Sequence, residues 1–102
     1  MTKVKITVVK KLNSKDIFGS NPPVECTLPT ECKILEVGQE FIVEGNKYPP
    51  DFCPAAFAAI LKYIFLLRNG GNIASIKEKG VGLALCSDAW RPVIFKLQRI
   101  ED

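Results

Sequence analysis

The chain has 102 residues, 47% hydrophobic and 25% charged, with a formal net charge of +3. That length suits one domain, residues 1–102, with one modest core, and the composition excludes a low-complexity or disordered chain. Histidine is absent and cysteine occurs four times, so the commonest general base and commonest zinc ligand are missing while thiol chemistry stays open.

From Met1 to Lys11 polar and apolar residues alternate, with Val4, Ile6 and Val8 on one side of a half-buried strand. The segment lacks the apolar block and small-residue cleavage site of a signal peptide. The apolar stretch from Phe52 to Leu67 carries Lys62 and is shorter than the ~20 residues that cross a bilayer. The expectation is a cytoplasmic protein without a membrane partner, its cysteines held as thiols. Lys3, Lys5, Lys10 and Lys11 read as a solvated strand face, because a nucleic-acid surface calls for a denser basic stripe with aromatic platforms.

Asn13 to Glu31 carries Gly19, Asn21, Pro22, Pro23 and Pro29 and reads as a long loop with one short helical turn near Asp16. Gly38 to Gly45 reads as a second strand, with Phe41 and Val43 on one face and Glu40, Ile42 and Glu44 on the other, the glutamates opposite lysines of the first strand. Tyr48-Pro49-Pro50-Asp51 then breaks the sheet. Pro54 at the first helical position, with Asp51 or Cys53 as cap, and Gly70-Gly71 as stop predict a helix over about 54–68. That helix is apolar on nearly every side, which predicts a second cover from the long loop or from another subunit, and hence a homo-oligomer. Val81 to Leu85 and Pro92 to Ile100 are the last two strands, with Val93, Phe95 and Leu97 as the inward stripe. The order predicts an α+β fold: a small, largely antiparallel sheet or open barrel of about four strands packed on one main apolar helix.

Candidate chemistry gathers between the last two strands, in Cys86-Ser87-Asp88-Ala89-Trp90-Arg91-Pro92. Cys86 falls on the face of Gly82 and Ala84, where there is room beside a thiol; the structural alternative is a core cysteine. Asp88 reads as a turn former, or as a base or anchor for Arg91. Arg91, held extended by Pro92, suits a carboxylate, either Asp88 or an anionic ligand. Trp90 reads as packing or as a pocket wall. Cys53 sits where the helix begins, so unpaired backbone N–H groups favour negative charge on its sulfur; otherwise it fills space near Phe52 and Phe57. A zinc or iron site would draw on Cys32, Cys53 and Cys86 converging in space, since Cys26 and Cys32 are too far apart for a Cys-x-x-Cys knuckle.

At Gly38-Gln39-Glu40-Phe41, Phe52-Cys53, Gly70-Gly71, Cys86-Ser87-Asp88 and Arg91-Pro92-Val93, the sequence resembles a family of small prokaryotic proteins classed as conserved hypothetical. The family pattern places a cysteine before Gly-Gln-Glu-Phe, a Phe-Cys at the start of an aromatic-rich helix, and a Cys-Thr-Asp-Gly turn before Arg-Pro-Val. The resemblance implies that Cys32, Cys53, Cys86, Asp88 and Arg91 are the shared positions; it implies no reaction, cofactor or partner. Pro54-Ala55-Ala56-Phe57 stands where the family has tryptophans, and Leu85 and Ala89 replace a cysteine and a glycine.

Two functional readings follow from the residues. One is a thiol-lined site for a small molecule or metal, formed by Cys53, Cys86, Asp88, Trp90 and Arg91 with Cys32 reaching in; as an enzyme it would use a cysteine thiolate with Asp88 carrying the proton. The other is a non-catalytic oligomerising module whose cysteines are core packing.

Overall fold

The computed structural model describes residues 2–45 and 47–100. Strand β1 spans Lys3–Lys11, helix α1 Ser14–Phe18, β2 Glu40–Glu44, helix α2 Pro54–Arg68, β3 Val81–Leu85 and β4 Val93–Ile100. The strands form one open antiparallel sheet in the order β2-β1-β4-β3. The architecture is the α+β arrangement read from the sequence, in its open-sheet form and not as a barrel.

Period-two alternation fixes which face is buried. Val4, Ile6 and Val8 of β1, Val43 of β2, Ala84 of β3 and Val93, Phe95 and Leu97 of β4 all turn to one side and are buried. Against them lie Ala56, Phe57, Ile60, Ile64 and Leu67 of α2, spaced to share a helical face. Each fully buried Phe, Leu or Ile contributes roughly 1.5–3 kcal/mol through removal of apolar surface from water. On the opposite face of the sheet Lys3 meets Glu44 at 3.4 Å and Lys5 meets Glu40 at 3.6 Å, the cross-strand pairing read from the sequence.

Helix α2 departs from the all-round burial that its composition suggests. The sheet covers one face, and Phe65 and Leu66 remain 53% and 40% exposed. The Arg68 guanidinium lies 5.3 Å from the centre of the Phe65 ring and the Lys62 ammonium 5.0 Å from that of Tyr63. Long cationic side chains thus shield exposed rings on a helix whose other outward positions include Ala55 and Ala58.

The register of β1 changes near its end. Val8 pairs with Phe95, but the next partners are Lys10 with Ile94 and Lys11 with Val93, so Val9 is an extra, bulged residue. Because side chains alternate, one inserted residue exchanges the faces of everything after it. Lys11 therefore falls opposite inward-facing Val93, and the solvated role expected for it does not hold: its side chain is only 9% exposed.

The C-terminal end of α2 is held by a residue from the far strand. Arg99 of β4 donates through Nη1 to the carbonyls of Leu67 at 3.0 Å and Gly71 at 2.7 Å, and through Nη2 to Asn72 Oδ1 at 3.2 Å. These bonds satisfy carbonyls that a helix end leaves open and put positive charge at its negative pole. Gly71 is required here, since a Cβ would lie 2.9 Å from the Leu66 carbonyl oxygen. Arg99→Met keeps the apolar stem but removes the donors, and should lower the free energy of unfolding in urea by about 2 kcal/mol. An unchanged midpoint would show that this helix end is held by other contacts.

Candidate functional site

Three segments distant in sequence enclose a cavity of about 260 Å³. Cys32, Ile34 and Leu35 come from the loop before β2, Cys53, Ala55 and Ala56 from the start of α2, and Cys86, Asp88, Arg91 and Val93 from the β3–β4 connection. Five residues singled out in the sequence, Cys32, Cys53, Cys86, Asp88 and Arg91, thus line one space. All four cysteines are free thiols, and Cys26 does not border the cavity.

Cys53 is the N-cap residue of α2, with Pro54 following it, and its side chain makes no capping hydrogen bond. Its carbonyl accepts from the Phe57 N–H at 3.0 Å, so the backbone starts the helix and the sulfur is left out of the cap. Phe52 sets this position. It is 3% exposed and its ring meets those of Phe41 at 4.9 Å, Phe95 at 5.4 Å and Phe57 at 6.4 Å. Such an aromatic cluster ties the helix start to the sheet on both sides.

Cys86 closes the β3–β4 hairpin. Its N–H donates to the Val93 carbonyl at 3.1 Å, and its Sγ accepts from the Val93 N–H at 3.3 Å. The connection that follows is organised by Asp88, whose Oδ1 accepts from the N–H groups of Trp90 at 2.9 Å and Arg91 at 3.3 Å, while Oδ2 accepts from Arg91 Nε at 3.2 Å. Asp88 and Arg91 are therefore a turn-forming pair, as the sequence suggested. Arg91 nonetheless keeps both Nη groups without a hydrogen-bond partner among the described residues. Two residues close in sequence to lining residues have positive φ without being glycine, Asp51 at 64°, two before Cys53, and Ser87 at 70°, next to Cys86. A left-handed backbone at such residues costs ~1–2 kcal/mol, here borne in the two segments that deliver Cys53 and Cys86.

Cys32 is placed by Lys11. The ammonium donates to the Cys32 carbonyl at 3.0 Å and pairs with Glu31 at 3.3 Å and Glu36 at 3.4 Å. Burial acts to lower the Lys11 pKa, but the Glu31 hydrogen bond and the Glu36 carboxylate outweigh it and hold it above its ordinary value. Lys11, Ile34 and Leu35 were not singled out from the sequence. The signal for Lys11 is Val8-Val9-Lys10-Lys11, where an apolar pair followed by a basic pair breaks the alternation.

Trp90 lies elsewhere. It borders a second cavity with Ser14, Lys15 and Thr30 and stacks on Phe18 at 6.0 Å between ring centres. The turn that directs Asp88 and Arg91 to the thiols thus sends the indole the other way, and Trp90 does not join the thiol wall as expected. Among the described residues no group of three or more Cys, Asp or Glu side chains is arranged to hold a metal ion. The three thiols share a cavity wall without forming a cage, and the zinc or iron reading gains nothing from this geometry. No helix among the described residues is long and apolar enough to cross a membrane. Comparisons with protein-family models, curated proteins and solved structures give no match to this chain.

Burial acts to raise the Asp88 pKa, but the N–H groups of Trp90 and Arg91 and the Arg91 guanidinium override it and hold the carboxyl below its ordinary 3.8. The ionised form is the one the fold prefers, so its contribution is complete above pH 3.8 and is lost as pH falls through the lower native value. Asp88→Asn keeps the acceptor of the turn and removes the charge. With the pair partly in solvent, the substitution should cost about 1 kcal/mol at neutral pH, and the gap to wild type should close in acid. A gap independent of pH would assign the cost to turn geometry and not to charge.

Proposed function

We propose that the cavity between the loop before β2, the start of α2 and the β3–β4 connection binds a small molecule with an apolar body and an anionic group. The observation that carries this is the gathering of three thiols and the Asp88–Arg91 pair on one largely apolar wall, from three separate parts of the chain, with both Arg91 Nη groups left without a hydrogen-bond partner among the described residues. Ile34, Leu35, Ala55, Ala56 and Val93 supply the apolar surface, and Arg91 supplies the charge. A few placed polar groups on an apolar wall are the usual composition of a small-molecule site, and about 260 Å³ suits a ligand smaller than most drugs. The positions carrying the family resemblance, Cys32, Cys53, Cys86, Asp88 and Arg91, are the polar members of this wall. The reading requires reduced thiols and so fits a reducing compartment such as the cytoplasm.

Within the wall Cys53 is the thiol suited to contact the ligand, since Cys86 already engages Val93 and Cys32 is 7% exposed. Iodoacetate and iodoacetamide test this, because each alkylates a thiolate with loss of iodide and only the first is an anion. The ratio of the two rates at Cys53, normalised to the ratio at Cys26 in the same molecule, should favour iodoacetate by about tenfold, from attraction in a confined cleft. Arg91→Gln should erase that preference while Cys26 is unchanged. Equal ratios at Cys53 and Cys26 in the wild type would sink the anion-binding reading.

A second reading is self-association, expected from the sequence through the apolar helix α2, which leaves Phe65 and Leu66 exposed, and supported further by β3. β3 is an edge strand without charge or proline, and its outward residues Leu83 and Leu85 are 60% and 50% exposed. An antiparallel edge is complementary to itself about a two-fold axis, so a second copy of β3 is the occupant this edge fits. Sedimentation should then show a concentration-dependent dimer that Leu83→Lys abolishes. A monomer at all concentrations would end this reading without touching the first.

A further inference from the structure

Of the three thiols on the cavity wall, Cys53 is the one a ligand can reach. Cys32 and Cys86 are 7% and 9% exposed, and the Cys86 sulfur already accepts from the Val93 N–H. Cys53 is half-buried, and no hydrogen bond among the described residues engages its sulfur.

The start of α2 leaves a donor open beside that sulfur. Pro54, at the first helical position, has no N–H, so the Ala55 N–H is the first that a capping side chain would take. Cys53 does not take it, the first turn holds no acidic residue, and the group has no partner among the described residues. Ala55 is exposed and borders the cavity, whereas Ala56, whose N–H follows, is 0% exposed and out of reach. Arg91 supplies the third group. Its side chain is 16% exposed, its Nε is engaged by Asp88 at 3.2 Å, and its two Nη groups have no hydrogen-bond partner among the described residues.

Resting on the anion-binding reading of this cavity, we propose that its ligand is an oxo acid, captured reversibly as a thiohemiacetal of Cys53. The sulfur attacks the carbonyl carbon and an S–C bond forms. The π pair of the C=O bond moves to oxygen, which takes up the proton that the thiol gives up. Nothing is oxidised or reduced, and no co-reactant is needed. A nucleophile beside an open backbone donor selects an electrophile whose oxygen gains charge on addition, which is what a carbonyl does. The Ala55 N–H donates to that oxygen and the Arg91 guanidinium to the carboxylate, while Ile34, Leu35 and Val93 cover the carbon chain between them.

Adipate semialdehyde, isotope-labelled at its aldehyde carbon, is the probe, with hexanal labelled in the same way as its neutral counterpart. Freshly reduced protein, freed of reductant, should give a saturable resonance of a tetrahedral carbon, apart from that of the aldehyde hydrate. Lysines would give a trigonal imine carbon instead. Cys53→Ser should lose the tetrahedral signal and fold as well as wild type, because serine is a preferred cap. Hexanal should need about tenfold more ligand for half-saturation, and Arg91→Gln should bring the semialdehyde to the level of hexanal. No tetrahedral carbon in the wild type overturns the proposal, as does a signal that Cys53→Ser retains or equal half-saturation by the two aldehydes. Iodoacetate selectivity at Cys53 separates this failure from that of the anion-binding reading. Selectivity without a tetrahedral carbon keeps the anion site and removes the covalent step, whereas loss of both removes both.

Discussion

The extra residue in β1 is the constraint on which the thiol cavity depends. Without the bulge at Val9, strict alternation would carry Lys10 to the inner face and leave Lys11 in water. With it, Lys11 lies opposite Val93 and its ammonium reaches the carbonyl of Cys32 and the carboxylates of Glu31 and Glu36. Loop 31–36 is thereby fastened to the sheet through one lysine that holds a backbone carbonyl at 3.0 Å and two partly exposed carboxylates at 3.3 and 3.4 Å. A local irregularity in one strand is what makes a wall of the loop that carries Cys32, Ile34 and Leu35.

The β3–β4 connection works in the same way at shorter range. Asp88 gathers the N–H groups of Trp90 and Arg91 around one carboxylate oxygen, and the two side chains then leave in opposite directions. Arg91 goes to the thiol cavity and Trp90 to the cavity under the long loop. Positive φ at Ser87 is the turn geometry that lets Cys86 close the hairpin while Asp88 begins a new arrangement one residue later. Strain at Ser87 and Asp51 persists because the surrounding contacts hold it, the aromatic cluster of Phe52 on one side and the Cys86–Val93 pair on the other.

The sequence was most legible where periodicity reports burial directly. Val4-Ile6-Val8, Phe41-Val43 and Val93-Phe95-Leu97 were assigned to faces from alternation, and the helix from Pro54 to Gly70-Gly71 from its caps. Two things were not read in advance. The Val8-Val9-Lys10-Lys11 irregularity was averaged into a regular strand, because a bulge leaves only a one-residue signal. The direction of Trp90 was also missed, since neighbours in a turn need not share a face and no period applies there. The apolar composition of the helix predicts a second cover, and the long loop does not supply it: Phe65 and Leu66 stay exposed within the chain, with Arg68 lying over the Phe65 ring.

The thiols of the cavity are not equivalent, and their differences locate the functional burden. Cys86 has a structural explanation: its sulfur accepts the Val93 N–H, a donor that would otherwise be buried without a partner at the end of the hairpin. Cys32 is explained in part, since its backbone carbonyl is what Lys11 grips and its buried side chain packs with the core. Cys53 packs against the core cluster from a half-buried position, but its sulfur makes no hydrogen bond that the fold uses. It occupies a cap position where serine, threonine, aspartate or asparagine would satisfy helix N–H groups and contribute ~1 kcal/mol, and it makes no such bond. A residue that forgoes capping at the head of the main helix, half-buried on the wall that also holds Arg91, is the least accounted for by folding alone. Cys53 and Arg91 line the same cavity without either being needed there by the core alone, Arg91 through the Nη groups that its pairing with Asp88 leaves over, while the Val93 N–H fixes Cys86 and Lys11 fixes Cys32.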